Sequence, residues 1–297
     1  MTVQPPIFFE YLLSGLMLGV LYTVMALGIT FIYGVMRMIN WAMGEFYMIA
    51  GYIQLLYIRI VGPTLWPLAV VLSIATVFFV GLLIQKGILK PMFTRIGERK
   101  EEYAAITTIS LSVLLRNLMV VLFGPYVWSV PDYYPNVSFS GITLSGNRLL
   151  AALVGIVTLA VFFAILKFTW TGLALRATAQ NRFSVQTAGV DVWSVDGYAF
   201  AVGVSLAAVA GIMLAPVFLI YPESGVVPTV KGFVIIVIGG LGSLMGSLAG
   251  GILLGMSEAI GTALIDPKYR EVYGFIIMII VLLLRPRGFF GRVEREV

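Results

Sequence analysis

Long runs of residues without a single charge, several of them wide enough to cross a bilayer, restrict this chain more than any other feature. The hydrocarbon core of a membrane is roughly 30 Å thick and a helix climbs about 1.5 Å per residue, so about 20 apolar residues make one crossing. Reading between the charges gives candidate spans at 11–36, 41–58, 60–85, 103–123, 149–166, 197–220, 232–257 and 272–284. Arg116 interrupts the fourth, and glycine crowds the seventh. The last run, 272–284, reaches only about 20 Å, so it must borrow flanking residues or let its end charges snorkel. Backbone in lipid must satisfy its own hydrogen bonds. The expected fold is therefore all-α: a polytopic integral membrane protein of about eight transmembrane helices, one transmembrane domain over 1–297, with the glycine-rich segment re-entrant or broken. No cationic residue precedes the first run, which extends too far for a cleavable signal and reads as a retained span.

Composition removes several function classes. Of 297 residues, 60% are hydrophobic and 11% charged, against about 25% charged in an average soluble domain. With no Cys and no His, the chain lacks the ligands and proton carriers of zinc sites, haem sites, thiol catalysis and Ser-His-Asp triads. No catalytic, metal-binding or cofactor-binding residue is assigned. The net charge of +5 would suit nucleic acid, but its distribution points elsewhere. With the N-terminus outside, thirteen Lys and Arg fall on the inner loops and tail and five outside, with Arg116 in the membrane. That bias is the positive-inside pattern of a membrane protein, so no nucleic-acid partner is expected, only lipid.

The same count constrains the topology. A basic loop at 167–195 and a basic tail share one side only if an even number of crossings separates them. Spans six and eight supply two, which makes 232–257 a hairpin entering and leaving on the outer face and bending near Gly239, Gly240 and Gly242. The competing reading is a plain crossing with the tail outside. Non-helical backbone at membrane depth is tolerated only inside protein or beside water, so a hairpin there is a candidate pathway wall. Gly242, Gly246 and Gly250, with Gly251 and Gly255, recur at helical spacing and let neighbouring backbones approach. The run 240–246, GLGSLMG, is no dinucleotide loop, because its third glycine is one residue late, and no GxxxxGK[ST] occurs. Glu45, Arg116 and Glu258 are ionisable residues in or beside apolar spans and need partners. Glu45 is expected about one turn inside the cytoplasmic end of span two and Glu258 near the outer end of the glycine-rich helix. The segment 176–188, RATAQNRFSVQTA, reads as a short amphipathic surface helix ended by Gly189, serving either as a membrane anchor or as a dock for a cytoplasmic partner.

Several stretches together resemble a known family. They are GLMLGVLYTVMALGITFIYGVMRMINWAMGEFYMIAGY at 15–52, ITTISLSVLLRNLMVVLFG at 106–124, RATAQNRFSVQTAGVDV at 176–192, KGFVIIVIGGLGSLMGSLAGGILLG at 231–255 and LLLRPRGFFG near the end. In this order they resemble the LivH-type permease subunits of bacterial branched-chain amino acid ABC importers. The resemblance implies an inner-membrane permease without enzymatic activity. Its implied partners are a second, LivM-type permease, two cytoplasmic ATPase subunits that use ATP and Mg, and a periplasmic substrate-binding protein. It further implies that Arg176, Gln180, Asn181, Arg182 and Gly189 contact the ATPases. Asn40, Gly44 and Glu45 match the signature that opens span two, where the family usually has His and this chain has Met43. Together with Arg116, Gly239, Gly240 and Gly242 they are the candidate translocation pathway. An ion-coupled secondary transporter or channel for small polar solutes such as amides or urea stays compatible with Glu45 and the broken segment.

Overall fold

The computed structural model describes residues 5–95, 100–139 and 142–291. Nearly all of it is helix, as apolar sequence in lipid requires. The first half runs through α1 (Pro5–Met36), α2 (Met43–Val61), α3 (Trp66–Ile84) and α4 (Lys90–Arg95), which a π turn at Gln85–Leu89 joins to α3, then α5 (Lys100–Phe123). A two-stranded antiparallel ribbon, β1 (Val137–Phe139) and β2 (Ile142–Leu144), pairs Ser138 with Thr143. There follow α6 (Gly146–Phe168), α7 (Trp170–Gln180), α8 (Arg182–Thr187), α9 (Val192–Leu214), α10 (Val226–Gly239), α11 (Leu244–Leu264) and α12 (Arg270–Leu284).

Six helical stretches are long and apolar enough to cross a membrane: Phe8–Met36, Pro63–Thr94, Glu101–Phe123, Gly146–Phe168, Val192–Leu214 and Leu244–Leu264. Three further helices, α2, α10 and α12, are less regular. Glu45, Gln54 and Arg59 make α2 more polar, and α10 and α12, at 14 and 15 residues, extend only about 21–23 Å. Helix α9 starts earlier than its apolar run, because buried Asp196 is neutralised by Arg182 and can enter the helix.

Two helices form the centre. The most apolar windows of α1 and α9 are 78% and 83% buried, whereas those of α3, α5 and α6 are 28% or less and face outward. Such close packing needs small residues. A side chain on Gly19 would bring its Cβ within 3.0 Å of the Gly251 carbonyl, and one on Gly203 within 3.0 Å of the Gly28 carbonyl. The glycine repeat of α11 serves two neighbours: Gly251 and Gly255 meet Thr23, Gly15 and Gly19 of α1, and Gly246 and Gly250 meet Gly239 and Ile235 of α10.

The glycine-rich segment is a helical hairpin. Helix α10 ends at Gly239, the chain turns through Gly240 and Gly242 at φ 97° and 77°, and α11 returns so that Gly246 faces Gly239 and Gly250 faces Ile235. Left-handed φ is accessible without strain only to glycine, which is why the turn falls there. The plain-crossing alternative does not fit this geometry. The tail then caps the hairpin: the Phe289 and Phe290 amides donate to the Ile238 and Gly239 carbonyls, both at 2.9 Å. These are carbonyls that a helix end leaves without partners. Tyr33, near the end of α1, lies beside Gly242, and Arg182 donates to the Val35 carbonyl. The loop after α6, the hairpin turn and the tail thus gather at one end of the bundle. At the other end Trp128 and Ile220 exchange backbone hydrogen bonds of 2.8 and 2.9 Å, which ties two long loops together.

Candidate functional site

The pathway residues fall into two groups. Asn40, Gly44, Glu45 and Arg116 meet around the start of α2. Gly239, Gly240 and Gly242 lie at the far end of α10, whose N-terminal residue pair, Gly225 and Thr229, abuts Gly44. The 14 residues of α10 separate the groups by about 21 Å along its axis.

The first group lies deeper than the sequence suggests. After α1 the chain folds back into the bundle, so that the Met43 side chain reaches Gly28 of α1, where Gly203 of α9 also closes in. Gly28 is eight residues, about 12 Å, short of the end of α1. Glu45 is in the first turn of α2, as expected, but that turn lies well inside the bundle. Asn40 is buried and shapes this return: its Oδ1 accepts from the Ala42 amide at 3.0 Å. Glu45, 3% exposed, accepts at Oε1 from Arg116 Nη2 and Ser112 Oγ, both at 2.8 Å. Arg116 thus has a carboxylate across the bundle. Glu45 Oε2 and Arg116 Nε are buried with no hydrogen-bond partner.

A second ionic cluster was not legible in the sequence. Glu258 accepts from Lys231 Nζ at 2.7 Å and from Arg270 Nε at 2.9 Å, and the Tyr22 hydroxyl lies 3.4 Å from its Oε2. Lys231 also donates to Tyr22 Oη at 3.1 Å and sits 4.8 Å from the Tyr22 ring centroid. Lys231 and Arg270, two of the five cations counted outside, both reach in to the buried carboxylate near the end of α11, where Glu258 was expected. The signal available in advance was Glu258 itself, because a carboxylate there needs cations.

The segment after α6 also departs from expectation. It forms two helices, because Asn181 interrupts the amphipathic run and caps α8, accepting from the Ser184 amide at 3.0 Å. An N-cap has non-helical backbone while its side chain satisfies a free amide, so α7 must stop there. Gly189, at φ 84°, follows the end of α8 as expected. Arg176, Gln180, Asn181 and Gly189 are exposed. Arg182 is turned inward as a fork, with Nη1 and Nη2 donating to Asp196 at 2.9 and 2.7 Å. Phe168, Trp170 and Phe183 are at least three-quarters exposed on the same segment. At the start of α9, the Ser194 hydroxyl donates to Asp191 at 2.6 Å and holds that carboxyl below the usual range. Among the described residues, no group of three or more Asp or Glu is placed to hold a metal ion.

Comparison with known proteins gives this arrangement its family. Residues 11–282 match the model described as branched-chain amino acid transport system, permease component. The chain is 29% identical to the high-affinity branched-chain amino acid transport system permease protein LivH of Salmonella typhimurium, with 100% of this chain and 99% of the relative aligned. It is 31% identical to the corresponding BraD of Pseudomonas aeruginosa over 97% of each chain, and 29% identical to a probable LivH of Methanocaldococcus jannaschii over 91% and 89%. A multi-pass helical bundle matched from its first helix to its last establishes that the chain belongs to the family of branched-chain amino acid transport permease components.

Proposed function

We propose that the chain is the non-enzymatic membrane subunit of an ATP-driven importer that moves branched-chain or related amino acids across the bacterial inner membrane by alternating access. The observation that carries this reading is the family match over 11–282, together with relatives named for branched-chain amino acid transport along their whole length. The chain acts as one transmembrane domain. It works with a LivM-type second permease, two cytoplasmic ATPases that consume ATP and Mg, and a periplasmic binding protein.

The N-terminus is outside and the C-terminus inside, in keeping with the thirteen-to-five bias of cations. The end bearing α7 and α8 then faces the cytoplasm. Exposed Arg176, Gln180, Asn181 and Gly189, beside the bare rings of Trp170 and Phe183, form the ATPase contact. Arg182 acts behind them, tying α8 to Asp196 of α9 and the Val35 carbonyl of α1, the two central helices. Motion at the dock therefore reaches the core. The second permease covers α5, where Asn117 is exposed and Arg116 is one-third exposed at membrane depth. Lipid cannot solvate either group, whereas a protein neighbour or a polar pathway can. Asn40, Gly44, Glu45 and Arg116 flank the pathway on that face, and the Gly239–Gly242 turn closes its inner end.

Proteoliposomes containing the whole transporter test the reading. ATP inside should drive uptake of leucine delivered by the binding protein. Uptake by this chain alone, driven by a sodium or proton gradient, would replace the ATP-driven reading with an ion-coupled one.

A further inference from the structure

The Glu258 cluster forms one wall of a cavity of about 100 Å³ between α1, α2, α9, α10 and the start of α12. Its polar lining is Tyr22, Tyr47, Lys231, Arg270 and Glu271, and its apolar lining includes Leu21, Met25, Leu214 and Val227. We infer that this cavity is a binding site for an aliphatic zwitterion, with the solute's carboxylate on Lys231 and Arg270, its ammonium on Glu271 and its side chain among the apolar residues. The inference rests on the proposed transport function and specifies where in this subunit the solute is held.

Three observations support it. Two cations, Lys231 and Arg270, converge on the single buried carboxylate of Glu258. Both cations keep donors in reserve. Lys231 has three N–H groups and uses two, on Glu258 and Tyr22; Arg270 has five and uses two, on the same partners. A solute carboxylate would use these donors. The counter-charge is adjacent, because Glu271 follows Arg270 directly and stays exposed where Glu258 is buried. A site with cations at one end, a carboxylate beside them and an aliphatic remainder matches the chemistry of an aliphatic amino acid. It matches urea or a simple amide poorly, since neither carries charge.

The location suits a receiving site. Glu258 is six residues, about 9 Å, before the end of α11, and Lys231 is five residues into α10 from the same end. A solute arriving there is below the surface but not yet past the Gly28–Gly203 contact of the two central helices. Weak binding is sufficient, because a transport site that held its solute tightly would not release it.

The absence of native cysteine allows a direct test on the assembled transporter. Val227→Cys places one thiol at the cavity wall in a position that is 38% exposed. Its labelling by a membrane-impermeant maleimide should be slowed by leucine, about tenfold at ten times the dissociation constant. At the same concentration leucinamide, which lacks the carboxylate, and 4-methylpentanoate, which lacks the ammonium, should protect far less. Glu271→Gln should bring protection by leucine down to that by 4-methylpentanoate. ATP-driven leucine uptake is measured in the same vesicles. Unchanged labelling with intact uptake, or equal protection by all three solutes, would overturn the site while leaving the transport function standing. Vesicles in which leucine protects the thiol but ATP drives no uptake would keep the site and overturn the transport reading.

Discussion

Glu258 and Glu45 are both carboxylates at membrane depth, and the bundle accommodates them differently. Glu258 receives two cations and a phenol from α1, α10 and α12, so both of its oxygens are engaged. Glu45 receives one cation, carried on α5, the least buried of the long helices, and its Oε2 and the Arg116 Nε have no partner. An ion pair in low dielectric is favourable only when its remaining valences are met. Both oxygens of Glu258 are therefore satisfied, with donors on its cations to spare. The Glu45 pair is half-finished within this chain, as expected where another subunit or a polar path adjoins.

Removing one partner at each site separates the two cases. Glu258→Ala strands Lys231 and Arg270 together and should cost about 3–5 kcal/mol, read as a lowered denaturation midpoint in detergent. Arg116→Ala strands only Glu45, on a face where α5 can shift or water can enter, and should cost about 1–3 kcal/mol. If the second loss equals the first, the distinction between a finished and an unfinished cluster fails. Exchanging both Glu45 and Arg116 for Gln should recover most of that stability, because no charge is then left unpaired.

A third pair, Arg182 with Asp196, lies at the bundle end with the arginine side chain 37% exposed. Arg182→Lys keeps the charge but loses the fork, and should cost about 1 kcal/mol of stability. It should also reduce ATP-driven uptake more than binding of the ATPases, if the fork relays motion. The smallest effect belongs to Asp191, which is exposed and whose carboxyl is held below its ordinary range by Ser194. Its folded pKa is below the unfolded one, so its contribution is fully present above the unfolded value and is lost as pH falls through the folded value. Asp191→Asn keeps an N-cap but should flatten that acid limb of the stability profile, measured by thermal unfolding across the carboxylate range.

Local rules reached a good part of this. The turn at Gly239 to Gly242 was legible because loop charge demands an even number of crossings and only glycine enters left-handed φ without strain. Asn181 as a cap was legible in principle: an Asn before RFSV inside a marginal amphipathic run is a start signal. The run was instead expected to continue because its polar face is regular. The glycine repeat announced close packing, but spacing alone could not say that α11 divides it between α1 and α10. Nor could it say that the GFFG of the tail exists to cap the hairpin.

By itself the sequence determined that this chain lives in a membrane, is helical and carries no thiol or imidazole chemistry. Each of these follows from transfer energies and backbone hydrogen bonding, which act residue by residue. Tertiary structure alone decided the partners: Arg116 for Glu45, Lys231 and Arg270 for Glu258, Asp196 for Arg182. Charge pairing acts over a few ångströms between residues up to 71 positions apart, as for Glu45 and Arg116, and only the packed bundle sets those distances.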